Sequence, residues 1–464
     1  MGCGGSKARV AAAEAVVADL VRLAKEARAL EKQLVKTAEQ LTAEAKLAEL
    51  RRLTPEQEEA AAKAAQRIGE VAAAAEAAPE KEKAAPKAHD GQEYWAKFGG
   101  GAIDSLLEHT PLIDLEYLVA LAEGGGVMPC GRQNVPPAAF ITKRNLWRLK
   151  LWGQAGMGTI SLGVLVLSYP WLDWFHPDRL GAQLRRLLPF LKVMLATAKR
   201  DSPHCTVGVM VDFLCLPQTP FATEEDGARF GVSLKAINAW YFHTCTFTLL
   251  VTNPPPEGAD YSNTRLHCDR GWCFFEQAAS MVVKQNTCLL DFGAYEGATE
   301  FGDVYAKPDT CLGQMMAGRK PPIAPDAFGE RMRARVASGE LTFTANADMD
   351  FVIGQYEAGF VAAINRVAAS FPGSFHRRGL AGGTLDFKHL GWGDAEAAEL
   401  LLALRYAAAK CAFPEGAVGV YVTHGNTISE EARATLPPLK DRLGTRPVDF
   451  SGEHAVWEGK FYIG

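Results

Sequence analysis

Leu162-Gly163-Val164-Leu165-Val166-Leu167, followed at once by Ser168-Tyr169-Pro170-Trp171, is the stretch on which the fold turns. A continuous apolar run of strand length that ends in a polar turn is the pattern of a strand covered on both faces. The same pattern returns at Thr206–Val211, which ends at Asp212, at Phe247–Thr252 and at Thr287–Asp291. Helical patterns separate these runs: Asp178–Lys199, which Pro189 is expected to kink, then Phe230–Thr244 and Gly271–Lys284. Strand and helix in alternation predict an α/β fold, a parallel sheet wrapped by helices. Ligands in such sheets sit beyond the carboxyl ends of the strands, here just after Leu167, Val211 and Val251.

Upstream, Lys7 to Leu53 is rich in Ala, Glu, Lys and Leu, with an a/d seam through Val16, Leu20, Leu23, Ala27, Leu30, Leu34, Thr37 and Leu41. Thr54-Pro55-Glu56-Gln57 spells an N-cap, a Pro at N1 and a Gln at N3, so a second helix is expected to about Ala78. Residues 7–78 therefore read as a helical coiled coil or hairpin. The charges of residues 1–90 balance, 15 basic against 15 acidic, as in a solvated stalk rather than a lipid-binding basic patch. Residues 79–93 form a polar linker, and 94–157 a helical lead-in with an amphipathic helix over 103–122 interrupted at Thr110-Pro111. The α/β domain is expected over 158–292, a connector with helices over 293–375, and a C-terminal segment over 376–464. There Leu385–Phe387, Val420–Val422 and Val448–Phe450 read as short strands, the first two followed by capped helices. Leucine-rich repeats and a plain β-α extension both fit that spacing.

The composition is that of a globular chain: 464 residues, 48% hydrophobic, 22% charged, net charge -5. No part carries the basic excess that nucleic-acid binding needs. The 10 cysteines form no C-x-x-C pair, His176, His204, His243 and His267 show no ligand spacing, and no metal site or Cys-His enzyme is expected. The run 160–172 is too short to span a bilayer. Met1-Gly2-Cys3-Gly4-Gly5-Ser6, however, fits N-myristoylation at Gly2 with palmitoylation at Cys3, two chains that together give stable anchoring at the cytoplasmic face of a membrane.

Three clusters stand where the site should be: Ser168-Tyr169-Pro170-Trp171, Asp212 to Gln218, and Arg270-Gly271-Trp272-Cys273-Phe274-Phe275-Glu276. In this order, with a helix ending in Tyr before the third, they resemble the fungal heterokaryon-incompatibility (HET) domain, a relative of the Toll/interleukin-1 receptor (TIR) domain. The resemblance covers about residues 158–292 and implies a flavodoxin-like sheet and a signalling role. It implies Glu276 as the carboxylate that cleaves the nicotinamide-ribose bond of NAD, with NAD a substrate and no bound cofactor. Ser168, Tyr169, Trp171, Asp212, Arg270 and Trp272 would line the nucleotide crevice, Trp272 stacking on a flat ring and Arg270 meeting a phosphate. The loop Leu216-Pro217-Gln218-Thr219-Pro220-Phe221 departs from the TIR Arg-Asp-x-x-Pro-Gly pattern.

Each residue also has a plainer reading. Trp272 and Phe275 would pack the helix on the sheet, Arg270 and Glu276 would pair with other charges, and Asp212 would cap a loop. At the level of the whole chain, a membrane-tethered signalling protein stands beside a non-enzymatic scaffold or structural protein. In both, the coiled coil drives self-association.

Overall fold

The computed structural model describes residues 51–77, 100–152, 161–302, 307–369, 384–412, 418–435 and 461–463, except 103, 222, 259, 317, 345–346 and 423–424. Before residue 50 only Lys25, Gln33 and 45–49 are described, and all are helical. Gly2 and Cys3, most of the a/d seam, the 79–93 linker and the strand expected at 448–450 lie outside the described residues. The chain divides into two compact units, Met1–Arg52 and Leu53–Gly464. All that follows concerns the second.

Its main sheet holds β1 (Leu112–Asp114), β2 (Phe140–Ile141), β5 (Val164–Ser168), β6 (Gly208–Met210), β7 (Phe247–Leu250) and β8 (Leu289–Asp291), in the order β2-β1-β6-β5-β7-β8. A separate two-stranded ribbon pairs β3 (Leu151–Trp152) with β4 (Ser161–Leu162). β6, β5, β7 and β8 run parallel, with Leu165 of β5 opposite Val209 of β6 and Phe247 of β7. Every residue of β5 is buried, as the continuous apolar run requires. The fold is mixed α/β with a mostly parallel sheet flanked by helices.

Of the helices of eight residues or more, α1 is Pro55–Ala77, α2 Leu115–Glu123, α3 Ala182–Lys199, α4 Glu224–Ala236 and α5 Gly271–Val283. After these come α6 (Pro325–Ala337), α7 (Asp348–Ala369) and α8 (Asp394–Lys410). α3, α4 and α5 fill the three crossovers between the parallel strands. Because β6 and β7 flank β5 on opposite sides, right-handed connections send α3 and the α4 segment to opposite faces. The packing agrees: α2 lies against both α1 and α3, whereas α7 lies against α5 and α6, and the helical turn Asn238–Tyr241 that follows α4 packs on α5 and α7.

One expectation needs correction. The helix read over 103–122 is interrupted by a strand, and the supposed helical lead-in contributes β1 and β2 to the sheet. Pro111 lacks an amide proton and disfavours helix at Thr110, which frees Leu112-Ile113 to pair with β2 and β6. Asp114 then starts α2: its Oδ1 accepts from Glu116 N (2.9 Å) and Thr206 Oγ1 (2.6 Å), and its Oδ2 pairs with Arg148 Nη1 at 2.8 Å, both side chains fully buried.

α1 begins as its spelling predicts, with Thr54 N donating to Gln57 Oε1 (2.9 Å) and Gln57 N to Thr54 Oγ1 (3.3 Å). Ala60, Ala64, Ile68 and Ala75 form a stripe of mostly small residues that lets it close onto α2. Arg67 secures the contact through Glu123 (3.2 Å).

At the C-terminus, β9 (Thr384–Asp386), β10 (Val418–Tyr421) and β11 (Phe461–Ile463) form a parallel sheet in the order β11-β10-β9, with α8 joining β9 to β10. Arg319, fully buried, ties this sheet to α5 by donating to the carbonyls of Met281, Val282 and Asp386. Burial lowers its pKa to about 9. Among the described residues, no helix is long and apolar enough to cross a membrane.

Candidate functional site

The ends of β5 and β6 and the start of α5 converge on a cavity of about 590 Å³. Tyr169 and Trp171 enter from the turn after β5, and Asp212 from the residue pair after β6. Trp272 and Glu276 come from α5, where four-residue spacing puts them on one face, with buried Cys273 also on the cavity wall, while Phe275 and Ala278–Val283 are buried elsewhere.

Asp212 is held from three directions. Tyr169 Oη donates to Oδ1 at 2.6 Å, Phe213 N to Oδ1 at 2.6 Å, and Trp171 Nε1 to Oδ2 at 3.2 Å. Burial pushes its carboxyl above the usual range even against those donors. Asp212 thus fixes the orientation of both aromatic walls.

Glu276 is only part-buried, since one side opens into the cavity, yet protein surrounds the rest. Burial pushes its pKa up to about 8. The neighbouring Asp212 charge works in the same direction, and hydrogen bonds from Ser168 and Tyr241 oppose both. Behind the carboxylate, Ser168 Oγ lies 2.8 Å from His267 Nε2, and Tyr241 Oη donates to the Leu167 carbonyl at 2.9 Å. Burial, then the Arg270 charge, lower the His267 pKa to about 4, so its imidazole is neutral near pH 7. If the single Ser168 proton goes to Glu276, the Ser168 oxygen accepts from His267 Nε2–H. Tyr241 can turn its proton between Leu167 and Glu276, so the same cradle serves the ionised and the protonated carboxyl.

Six of the seven expected side chains line the cavity: Tyr169, Trp171, Asp212, Arg270, Trp272 and Glu276. Ser168 does not; it is completely buried and supports Glu276 from behind. Arg270 is at the wall but is used structurally. Its Nε donates to Arg265 O, Nη1 to Trp171 O, and Nη2 to Asn263 O and Arg265 O, which leaves one of its five N–H groups for a phosphate. Trp272 packs edge-on to Phe275 and donates its Nε1–H to Asp348 Oδ2 at 3.0 Å, so the packing reading and the cavity reading both apply.

Several wall residues were not singled out from the sequence. Arg265 lines the rim as an exposed cation, and Phe343 and Asp348 arrive from a segment some seventy residues beyond Trp272. That segment is strapped to the start of α5: Gly271 N donates to Thr342 O (2.9 Å) and Thr342 N to Asp269 O (3.1 Å). A Cβ on Gly271 would stand 2.1 Å from the Phe343 ring, so only glycine permits this approach. Tyr241, behind the wall, entered the sequence reading only as the Tyr that ends the helix before the third cluster, with no role given to it. Among the described residues, no group of three or more His, Cys, Asp or Glu could hold a metal ion.

Fold and site together define an α/β protein with an aromatic and acidic cavity at the carboxyl edge of a mostly parallel sheet. No protein-family model, curated protein or solved structure matches the chain.

Proposed function

We propose that the α/β domain is HET/TIR-like and hydrolyses the nicotinamide-ribose bond of NAD, with Glu276 as the essential carboxylate. The observation that carries this reading is Glu276 itself, one helical turn beyond Trp272 in a cavity at the carboxyl ends of β5 and β6. The strand order supports it too, because β6-β5-β7-β8 corresponds to the first four positions of the flavodoxin-like order 2-1-3-4-5, with the cavity beside the switch between β5 and β7.

The chemistry suits a lone carboxylate. When the C1′–N bond breaks, its electron pair stays on the ring nitrogen and nicotinamide leaves uncharged, so no general acid is needed. The ribosyl oxocarbenium that remains is stabilised or trapped by the Glu276 carboxylate. Water supplies the oxygen and loses a proton, giving ADP-ribose. Only ionised Glu276 can do this, so kcat/KM is expected to rise with pH and level off above about 8. Nicotinamide release from NAD by the full chain, abolished in Glu276→Ala, tests the proposal. Equal turnover by that variant ends it.

The competing reading is a non-enzymatic interaction module. It draws support from Arg270, whose hydrogen bonds go to backbone carbonyls. On that reading no nucleotide is bound or cleaved at any protein concentration. Under either reading we propose tethering to the cytoplasmic face of a membrane through acyl groups on Gly2 and Cys3, and self-association through the seam in residues 7–53. Gly2→Ala should move the chain from the membrane fraction to the supernatant. The parallel order of β9, β10 and β11 is compatible with a leucine-rich type of repeat and equally with a β-α extension.

A further inference from the structure

Resting on the reading of this cavity as a dinucleotide site, we propose that its inner part selects a flat heteroaromatic cation, an N-substituted pyridinium, over the uncharged ring, and that entry of the cation expels a proton from Glu276. Two features of the walls carry this. Tyr169, Trp171, Trp272 and Phe343 line the cavity, and aromatic rings attract organic cations. With Glu276 protonated, the formal charges on the lining balance, Asp212 and Asp348 against Arg265 and Arg270, and loss of its proton leaves one net negative charge to meet a cation. Arg265 is exposed at the rim, placed for the anionic part of a ligand whose cationic ring goes inward.

The proton coupling follows from what faces Glu276. Asp212 and Tyr169 approach from the ends of β6 and β5, Tyr241 from the turn after α4, Cys273 from its own helix, and His267 through Ser168. His267 is neutral near pH 7, and the thiol and both phenols stay protonated, since burial raises each of them. Asp212 disfavours ionisation of Glu276, and none of these groups brings the positive charge that would favour it in the empty cavity. Of the two lining cations, Arg265 stands exposed at the rim and Arg270 is turned to backbone carbonyls. A permanent cation brought into the cavity supplies the missing charge and favours the carboxylate. An uncharged ring does not.

The test compares binding of 1-methylnicotinamide, a permanent pyridinium, with nicotinamide, its uncharged counterpart, by calorimetry on the full chain. Titrations at pH 6.5, 7.5 and 8.5 are each run in two buffers of different ionisation enthalpy, which counts the protons released. The expected result is an affinity for the cation that tightens by up to about tenfold from pH 6.5 to 7.5 and levels off by 8.5, with close to one proton released at pH 6.5. Nicotinamide should bind more weakly with no pH dependence, and Glu276→Gln should remove both the pH dependence and the proton release for the cation. Equal affinity for the two rings, pH-independent cation binding, or no cation binding overturns the proposal. The proton count on the unaltered chain stands without the variant. Proton-coupled cation binding in a chain that never cleaves NAD would sink the hydrolase reading and sustain this one, while cleavage without cation selectivity would do the reverse.

Discussion

Replacing Glu276 by Gln should make the protein more stable, and more so the higher the pH. Glu276 titrates near 4.5 in an ordinary environment and near 8 in the fold, with burial the main cause. A folded-state pKa above the unfolded one means that the native state binds the extra proton between those values. The stability contribution is therefore complete below about pH 4.5 and is lost as pH rises through 8. At 1.36 kcal/mol per unit, wild type forfeits about 1 kcal/mol at pH 5.5 and about 5 kcal/mol at pH 8.5. Water in the cavity screens part of that, and half the difference would still be readily measured. Glutamine keeps the shape, accepts the Ser168 and Tyr241 hydrogen bonds and does not titrate. Asp212, common to both proteins, largely cancels. Urea midpoints of wild type and Glu276→Gln at the two pH values give the answer as a difference of differences. If the variant gains no more at pH 8.5 than at pH 5.5, the carboxylate ionises freely in the fold and the burial argument is wrong.

Removing the Ser168 hydroxyl should move the same group further: Ser168→Ala deletes a donor to the carboxylate, and a charge-assisted hydrogen bond of about 1.5 kcal/mol corresponds to a rise of about one unit. The pH at which the infrared band of the protonated carboxyl fades, assigned by its absence in Glu276→Gln, reads this, and an unchanged or lower midpoint would contradict it. Arg148→Ala strands the buried Asp114 carboxylate and should cost about 3–5 kcal/mol in urea unfolding, where an exposed ion pair would cost under about 1. Gly271→Ala must push the Phe343 strap outward and should cost about 1–3 kcal/mol with the helical circular dichroism retained. Full wild-type stability would mean that the strap is loose.

The parallel core was legible because its signal is local. Runs such as Val164–Leu167 and Val209–Val211 are apolar throughout, and only a strand covered on both sides tolerates that. β1 was hidden for the opposite reason. Three residues carry no period, and Leu112-Ile113 extends the helical face of the flanking leucines on paper, so only pairing with β2 and β6 decides its state. α1 shows the same limit in a different form. Its Ala stripe is compatible with an isolated coiled coil, and what selects α2 as its partner is a surface some fifty residues away in sequence. Caps, by contrast, are local chemistry, and Thr54 and Gln57 bond as their spacing indicates.

At the site, sequence reasoning located the residues better than their duties. Strand-end position was enough to gather Tyr169, Trp171, Asp212 and the α5 face, because parallel topology alone brings those ends together. Duty depends on where the remaining hydrogen-bonding capacity goes, and that is a tertiary matter. Arg270 next to a helix start looks like an anion ligand until the carbonyls of Trp171, Asn263 and Arg265 take its donors. Its work is to hold the 261–266 loop, and that loop carries Arg265 to the rim, so the cation offered to a ligand is the neighbour that the sequence made inconspicuous. Ser168 undergoes a similar exchange. As the last residue of β5 it reads as a crevice group, but the strand turns its hydroxyl inward, where it links a neutral His267 to Glu276. The side chains that meet the cavity and those that set the charge state within it are thus different sets. Variants of the inner set, Ser168 and Tyr241, should displace the pH dependence of whatever the cavity does, whereas variants of the rim, Arg265 above all, should change affinity at every pH alike.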